Sequence, residues 1–193
     1  MKNKIIFFIA GYLALFSSIY FHELGHSIAY HQYGCKENIF DMHTPAYFIF
    51  STPDPIDSLK VSSLNKYALF VIDIAGISVN IFFGVSLFFL LHFKSFTVLF
   101  QFYFYMFCLT NLLQAMSYLT INNIFTVSDM LNVLSYNSAL QIPLFLLGLL
   151  LLFLVYKLIK RSPAYWQKNM VIYSFAFVVI TSVVRVIYTF LNP

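Results

Sequence analysis

Apolar residues in this chain run in five long blocks, near 5–30, 67–91, 96–119, 139–157 and 170–191. Each is close to the roughly 20 residues that a helix needs to cross the hydrocarbon core of a bilayer. A helix is the form that satisfies every backbone group from within one segment, so the blocks predict an all-α polytopic membrane bundle of about five spans. The polar intervals between them are short, except for 31–66. Inside that interval Ala46-Tyr47-Phe48-Ile49-Phe50 is aromatic and β-branched and lies between Pro45 and Pro53. This stretch predicts a small β element, a short strand or hairpin, between helices one and two. No internal repeat, low-complexity tail or separate soluble segment interrupts the pattern, and the chain reads as one membrane-embedded domain over 1–193.

Composition agrees. Of the 193 residues 61% are hydrophobic, 20% aromatic and only 9% charged, and the mean hydropathy is +0.82. A soluble domain carries about a quarter charged residues. The formal net charge of +4 is small and dispersed, which excludes a nucleic-acid footprint and leaves a topology signal. Lys2, Lys4, Lys94, Lys157, Lys160, Arg161 and Lys168 fall on the N-terminal side of the alternating bundle, against Lys36, Lys60 and Lys66 on the other. This bias places the N-terminus inside. Two cysteines, Cys35 and Cys108, make neither a disulfide framework nor a cysteine metal site. Met1-Lys2-Asn3-Lys4 followed by Ile5–Phe16 imitates a signal peptide. The apolar run has no small-residue cleavage pattern and continues onward, so it reads as a retained helix.

One polar cluster stands inside the first block: His22-Glu23-Leu24-Gly25-His26. Two histidines four apart project from one helix face, about 40° apart, and can grip one metal ion. Glu23 lies beside them, positioned as a base toward a water molecule. Ionisable residues are expensive in hydrocarbon and mark function by default. The two histidines leave a third ligand to find. Position 32, where a metzincin has its third histidine, is Gln32. Glu37 is too near the helix end. By depth, Asp73 and Asp129 both reach the level of the histidines; Asp73 also reads as a helix-end charge or a partner for Arg185. His31, His43 and His92 read as interfacial polar residues. Gly76 and Gly84 read as close-packing positions.

His22–His26 in a first membrane helix, then Ala75-Gly76-Ile77-Ser78-Val79-Asn80, then Asn111-Leu112-Leu113 followed by Ser128-Asp129, resembles the site-2 protease family of intramembrane zinc metalloproteases. The resemblance covers about residues 10–135. It implies a three-helix catalytic core, Zn²⁺ as cofactor, and Asp129 as third ligand with His22 and His26. It further implies Glu23 as the catalytic base, and Asn80 and Asn111 as residues that contact substrate or bond neighbouring helices. Ile77, Gln114 and Met130 stand where the family carries Pro, Pro and Gly, and the interval from Asn111 to Asp129 is longer than usual. The implied activity is hydrolysis of peptide bonds in a membrane-embedded or membrane-associated peptide or protein. The implied location is the cell membrane, multi-pass, in a bacterium, with the substrate and the lipid bilayer as partners. The alternative is a non-proteolytic membrane factor of the same fold, in peptide transport, assembly or immunity. The family's preference for a cytosolic-side zinc runs against the charge bias, which places the histidines toward the outer surface.

Overall fold

The computed structural model describes residues 2–45, 51–93, 96–183 and 187. The described chain is all-helical. Its helices are α1 (Lys2–Gln32), α2 (Ser58–Ser62), α3 (Lys66–Phe93), α4 (Val98–Ser117), α5 (Asn123–Phe125), α6 (Met130–Tyr136), α7 (Gln141–Arg161) and α8 (Ala164–Val178). A π turn, Tyr118–Asn122, joins α4 to α5, so that 98–125 is one continuous helical rod. Four segments are long and apolar enough to cross a membrane: Ile5–Gln32, Lys66–Phe93, Val98–Phe125 and Ser138–Arg161. Of the expected fifth, 170–191, positions 184–186 and 188–191 lie outside the described residues. Helix α8 starts at Ala164, ends after 15 residues and passes into a second π turn, Val179–Val183. The segment expected as a strand, 46–50, lies outside the described residues. Among the described residues there is no strand, only one antiparallel bridge between His43 and Thr52.

Helix α4 is the axis of the bundle. Every residue from Tyr105 to Ser117 is buried, which is why its polar residues Thr110, Asn111, Gln114 and Ser117 stand inside the protein and not toward lipid. Helices α1 and α3 pack on it and on each other, and α7 packs from the other side. The crossings are made at small residues, since lipid-solvated helices gain most from close backbone approach. A Cβ on Gly25 would stand 2.9 Å from Ala75 O and 3.0 Å from Gly76 Cα, so α1 and α3 touch backbone to backbone. A Cβ on Gly84 would stand 2.8 Å from Leu112 Cδ2 of α4.

Beyond Gln32 the chain turns at Gly34, whose φ of 70° is the left-handed conformation that glycine adopts without steric cost. Gly34 N donates to His31 O and Cys35 N to Tyr30 O, ending the helix. The loop that follows is tied by Lys36, which is 5% exposed. Its Nζ donates to Asp41 O at 2.5 Å, Pro53 O at 2.5 Å and Pro55 O at 3.0 Å. Burial pushes this ammonium below the usual lysine value. Asp57 then caps α2, accepting from Leu59 N and Lys60 N at 3.2 Å each. The hydrogen bond from Lys60 N is the main cause that lowers its carboxyl below the usual aspartate value.

Candidate metal centre

His22 and His26 stand on one face of α1, 1% and 5% exposed. Their Nε2 atoms are 3.1 Å apart. Asp129 completes a triangle: its Oδ2 lies 3.4 Å from His22 Nε2 and 3.3 Å from His26 Nε2. No other group of three His, Cys, Asp or Glu side chains with this closeness occurs among the described residues. Of the two aspartates that depth alone admits, Asp129 is at the triangle. Asp73 instead accepts a hydrogen bond from Asn132 Nδ2 at 2.8 Å.

The outward nitrogen of each imidazole has a partner. His26 Nδ1 lies 2.8 Å from Ile72 O of α3. A carbonyl only accepts, so Nδ1 carries a proton, and the neutral ring would turn an Nε2 lone pair to the triangle. His22 Nδ1 lies 3.0 Å from the Asn80 amide, while Asn80 Oδ1 is buried with no partner. The two ends of an amide differ only by a half-turn. Turning Asn80 so that Oδ1 accepts from His22 Nδ1–H satisfies that oxygen and gives His22 the same tautomer. Asp129 Oδ2 is itself buried without a hydrogen bond, whereas Oδ1 accepts from Ser128 Oγ at 3.2 Å. Two imidazole nitrogens and one carboxylate oxygen thus converge on one point, an arrangement that could hold a cation.

The spacing fits a metal. Four ligands at 2.0–2.1 Å in tetrahedral array are about 3.3–3.4 Å apart, and the three edges here are 3.1, 3.3 and 3.4 Å. The group could hold a metal ion with one coordination position left over.

Local structure accounts for the arrangement. The ring of His22 stacks on Tyr118, with centroids 5.1 Å apart and planes at 15°, at the start of the π turn. π turns interrupt helices at functional sites because they re-aim side chains. Asp129 is reached through Thr126 and Ser128, which hold φ of 53° and 56°, a conformation that costs a non-glycine residue about 1–3 kcal/mol. Gly76 makes the space for both rings. A Cβ there would stand 2.8 Å from His22 Cε1 and from His26 Cε1, and closer still to His26 Nε2. Its smallness serves the imidazoles as much as the helix crossing, a role that spacing alone does not reveal.

Glu23 is 4% exposed and lies within electrostatic reach of His26. Asn80, fully buried, is engaged on the far side of His22. Asn111, also fully buried, donates to Phe107 O of its own helix at 2.7 Å. Asn80 therefore touches a residue of the triangle, and the hydrogen bond of Asn111 is within its own helix.

No protein-family model, no curated protein and no solved structure matches this chain.

Proposed function

We propose that the chain is an intramembrane zinc metalloprotease of the site-2 protease kind, cutting peptide bonds of a membrane-embedded or membrane-associated peptide or protein. The observation that carries the reading is the convergence of His22 Nε2, His26 Nε2 and Asp129 Oδ2 at tetrahedral spacing, with the outward nitrogen of each imidazole already bonded. Such outer partners hold a ligating histidine in one tautomer and one orientation. A zinc ion held there supplies a Lewis acid for water and for the scissile carbonyl. The remaining chemistry falls to the chain. His22, His26 and Asp129 use three positions and leave the fourth open. Glu23, next to one ligand and three residues from the other, takes a proton from water on its carboxylate and returns it to the leaving amine. A purely structural metal has no use for such a base. The bilayer excludes bulk water, so the cost of burying these groups is recovered only in function. The site sits about six residues, roughly 9 Å, below the loop end of α1, within reach of the end of a membrane segment.

The test is Glu23→Gln. Peptides from membranes of cells making the intact protein and the variant are compared by mass spectrometry, and metal content is measured on both purified proteins. The expected result is loss of the cleavage products with about one zinc per chain retained. A general base contributes about 10²–10⁴-fold, so products persisting above a tenth of the intact level refute the mechanism.

A further inference from the structure

The third ligand is the one least well held by its own segment. Asp129 follows two left-handed non-glycine residues, Thr126 and Ser128, and leads into α6, only seven residues long. A helix of that length is not stable by itself, so something outside the segment must fix where Asp129 Oδ2 points. The contacts of α6 run to α3. Asn132, one turn beyond Asp129, donates through Nδ2 to Asp73 Oδ2 at 2.8 Å. Tyr136, a further turn along, stacks on Phe70, with centroids 4.9 Å apart. Met130 and Val133 are fully buried. Asp73 directly follows Ile72, whose carbonyl takes the Nδ1 proton of His26. One turn of α3 therefore meets both halves of the centre: the backbone of Ile72 orients a ligand from α1, and the side chain of Asp73 holds the helix that follows the ligand Asp129.

We propose that Asp73 is a positioning residue which, through Asn132, locks α6 against α3 and so sets the place of Asp129 in the metal centre. This rests on the metal reading above. The hydrogen bond, not the charge, is the operative feature. An asparagine at position 73 still presents an acceptor to Asn132, and an alanine does not. The arrangement also accounts for a partly buried carboxylate that stands beside a metal centre without joining it: Asn132 holds one of its oxygens away.

The experiment uses the full chain in detergent, stripped of metal and titrated with Zn²⁺ against a competing chelator. Co²⁺ is added in parallel, to read the ligand field from its visible spectrum. The variants are Asp73→Ala, Asn132→Ala, both together, and Asp73→Asn, with Asp129→Ala as the ligand-loss reference. Partners of metal ligands are typically worth 10–100-fold in affinity. Asp73→Ala and Asn132→Ala are expected to weaken Zn²⁺ binding by about that factor and to alter the Co²⁺ spectrum. The double variant should be no worse than either single one, since both remove the same bond. Asp73→Asn should stay within about threefold of the intact protein. Asn132 lies on the short helix outside the membrane spans, so this variant keeps the test usable should Asp73→Ala not fold. Unchanged Zn²⁺ affinity in Asn132→Ala, additive single effects, or failure of Asp73→Asn to restore binding overturns the lock while leaving the metal centre standing. Absence of Zn²⁺ and Co²⁺ binding by the intact protein overturns the metal reading itself, and the lock with it.

Discussion

Gly76→Ala adds one methyl group at the point where α3 faces both imidazoles. Its carbon would stand 2.8 Å from His22 Cε1 and from His26 Cε1, and nearer to His26 Nε2. Carbon atoms settle at about 3.5–4.0 Å, so each ring must retreat by about 0.7 Å or more. The rings have no slack to give. His22 is stacked on Tyr118 and bonded to Asn80, and His26 is bonded to Ile72 O. Metal–ligand distances tolerate only about 0.2 Å. Displacing both histidines by several times that amount is therefore worth at least the loss of an orienting partner, and an affinity drop of about 100-fold is expected. The fold should survive, because alanine is a better helix former than glycine. The added carbon meets the ligand rings, not the buried apolar core. Gly11→Ala is the matched control: its Cβ would be 3.7 Å from Phe102 Cε1, an ordinary contact. Zinc affinity by chelator competition and thermal unfolding by circular dichroism are measured on both variants. Intact affinity in Gly76→Ala, or equal loss in Gly11→Ala, refutes the reasoning.

Asn80→Ala removes the outer partner of His22 and should lower Zn²⁺ affinity about 10–100-fold without loss of helix content; unchanged affinity in the same titration would show that His22 needs no such partner. Lys36→Met leaves the carbonyls of Asp41, Pro53 and Pro55 without their shared donor, which costs about 1–3 kcal/mol per unsatisfied group if they stay buried. The loop between α1 and α2 should then be cut faster by added protease, and equal cutting rates would contradict this. Topology is read from single cysteines at Ser58 and Ala164, both exposed, in a background with Cys35 and Cys108 replaced. A membrane-impermeant thiol reagent on intact cells should label position 58 only, because Lys157, Lys160, Arg161 and Lys168 favour the cytoplasmic side. Labelling at 164 alone would reverse the orientation and turn the metal centre toward the cytosol.

Four spans are legible from apolar block length alone, and their observed bounds differ from the expected ones by a few residues. The exception, 98–125, runs six residues past the expected end because a π turn carries the helix on. In the fifth block, α8 starts at Ala164, six residues before the expected 170, and a π turn carries it to Val183, the last position before residues outside the described ones. His22, Glu23 and His26 are legible because ionisable side chains inside an apolar block are too costly to keep without a role. Asp129 is not separable from Asp73 by depth, and only the resemblance favours it. The turn that leads the chain to Asp129 runs through two left-handed residues, Thr126 and Ser128. Neither is a glycine or an asparagine, so no residue type announces the turn. Asn80 carries a visible signal, an amide in a membrane helix, and that signal does not say whether it faces substrate or a ligand. Its partner becomes apparent only where α1 and α3 cross at Gly25 and Gly76.

X-ray absorption at the zinc edge on the purified full-length protein bears most directly on the central claim. About one zinc per chain is expected, with nitrogen and oxygen neighbours at about 2.0–2.1 Å, a signature of two imidazoles, and no sulfur at about 2.3 Å. In Asp129→Ala the imidazole signature should persist with one oxygen neighbour fewer or replaced by solvent, and binding should weaken. Absence of zinc from the intact protein after equilibration with excess metal, or a sulfur shell from Cys35 or Cys108, would contradict the account.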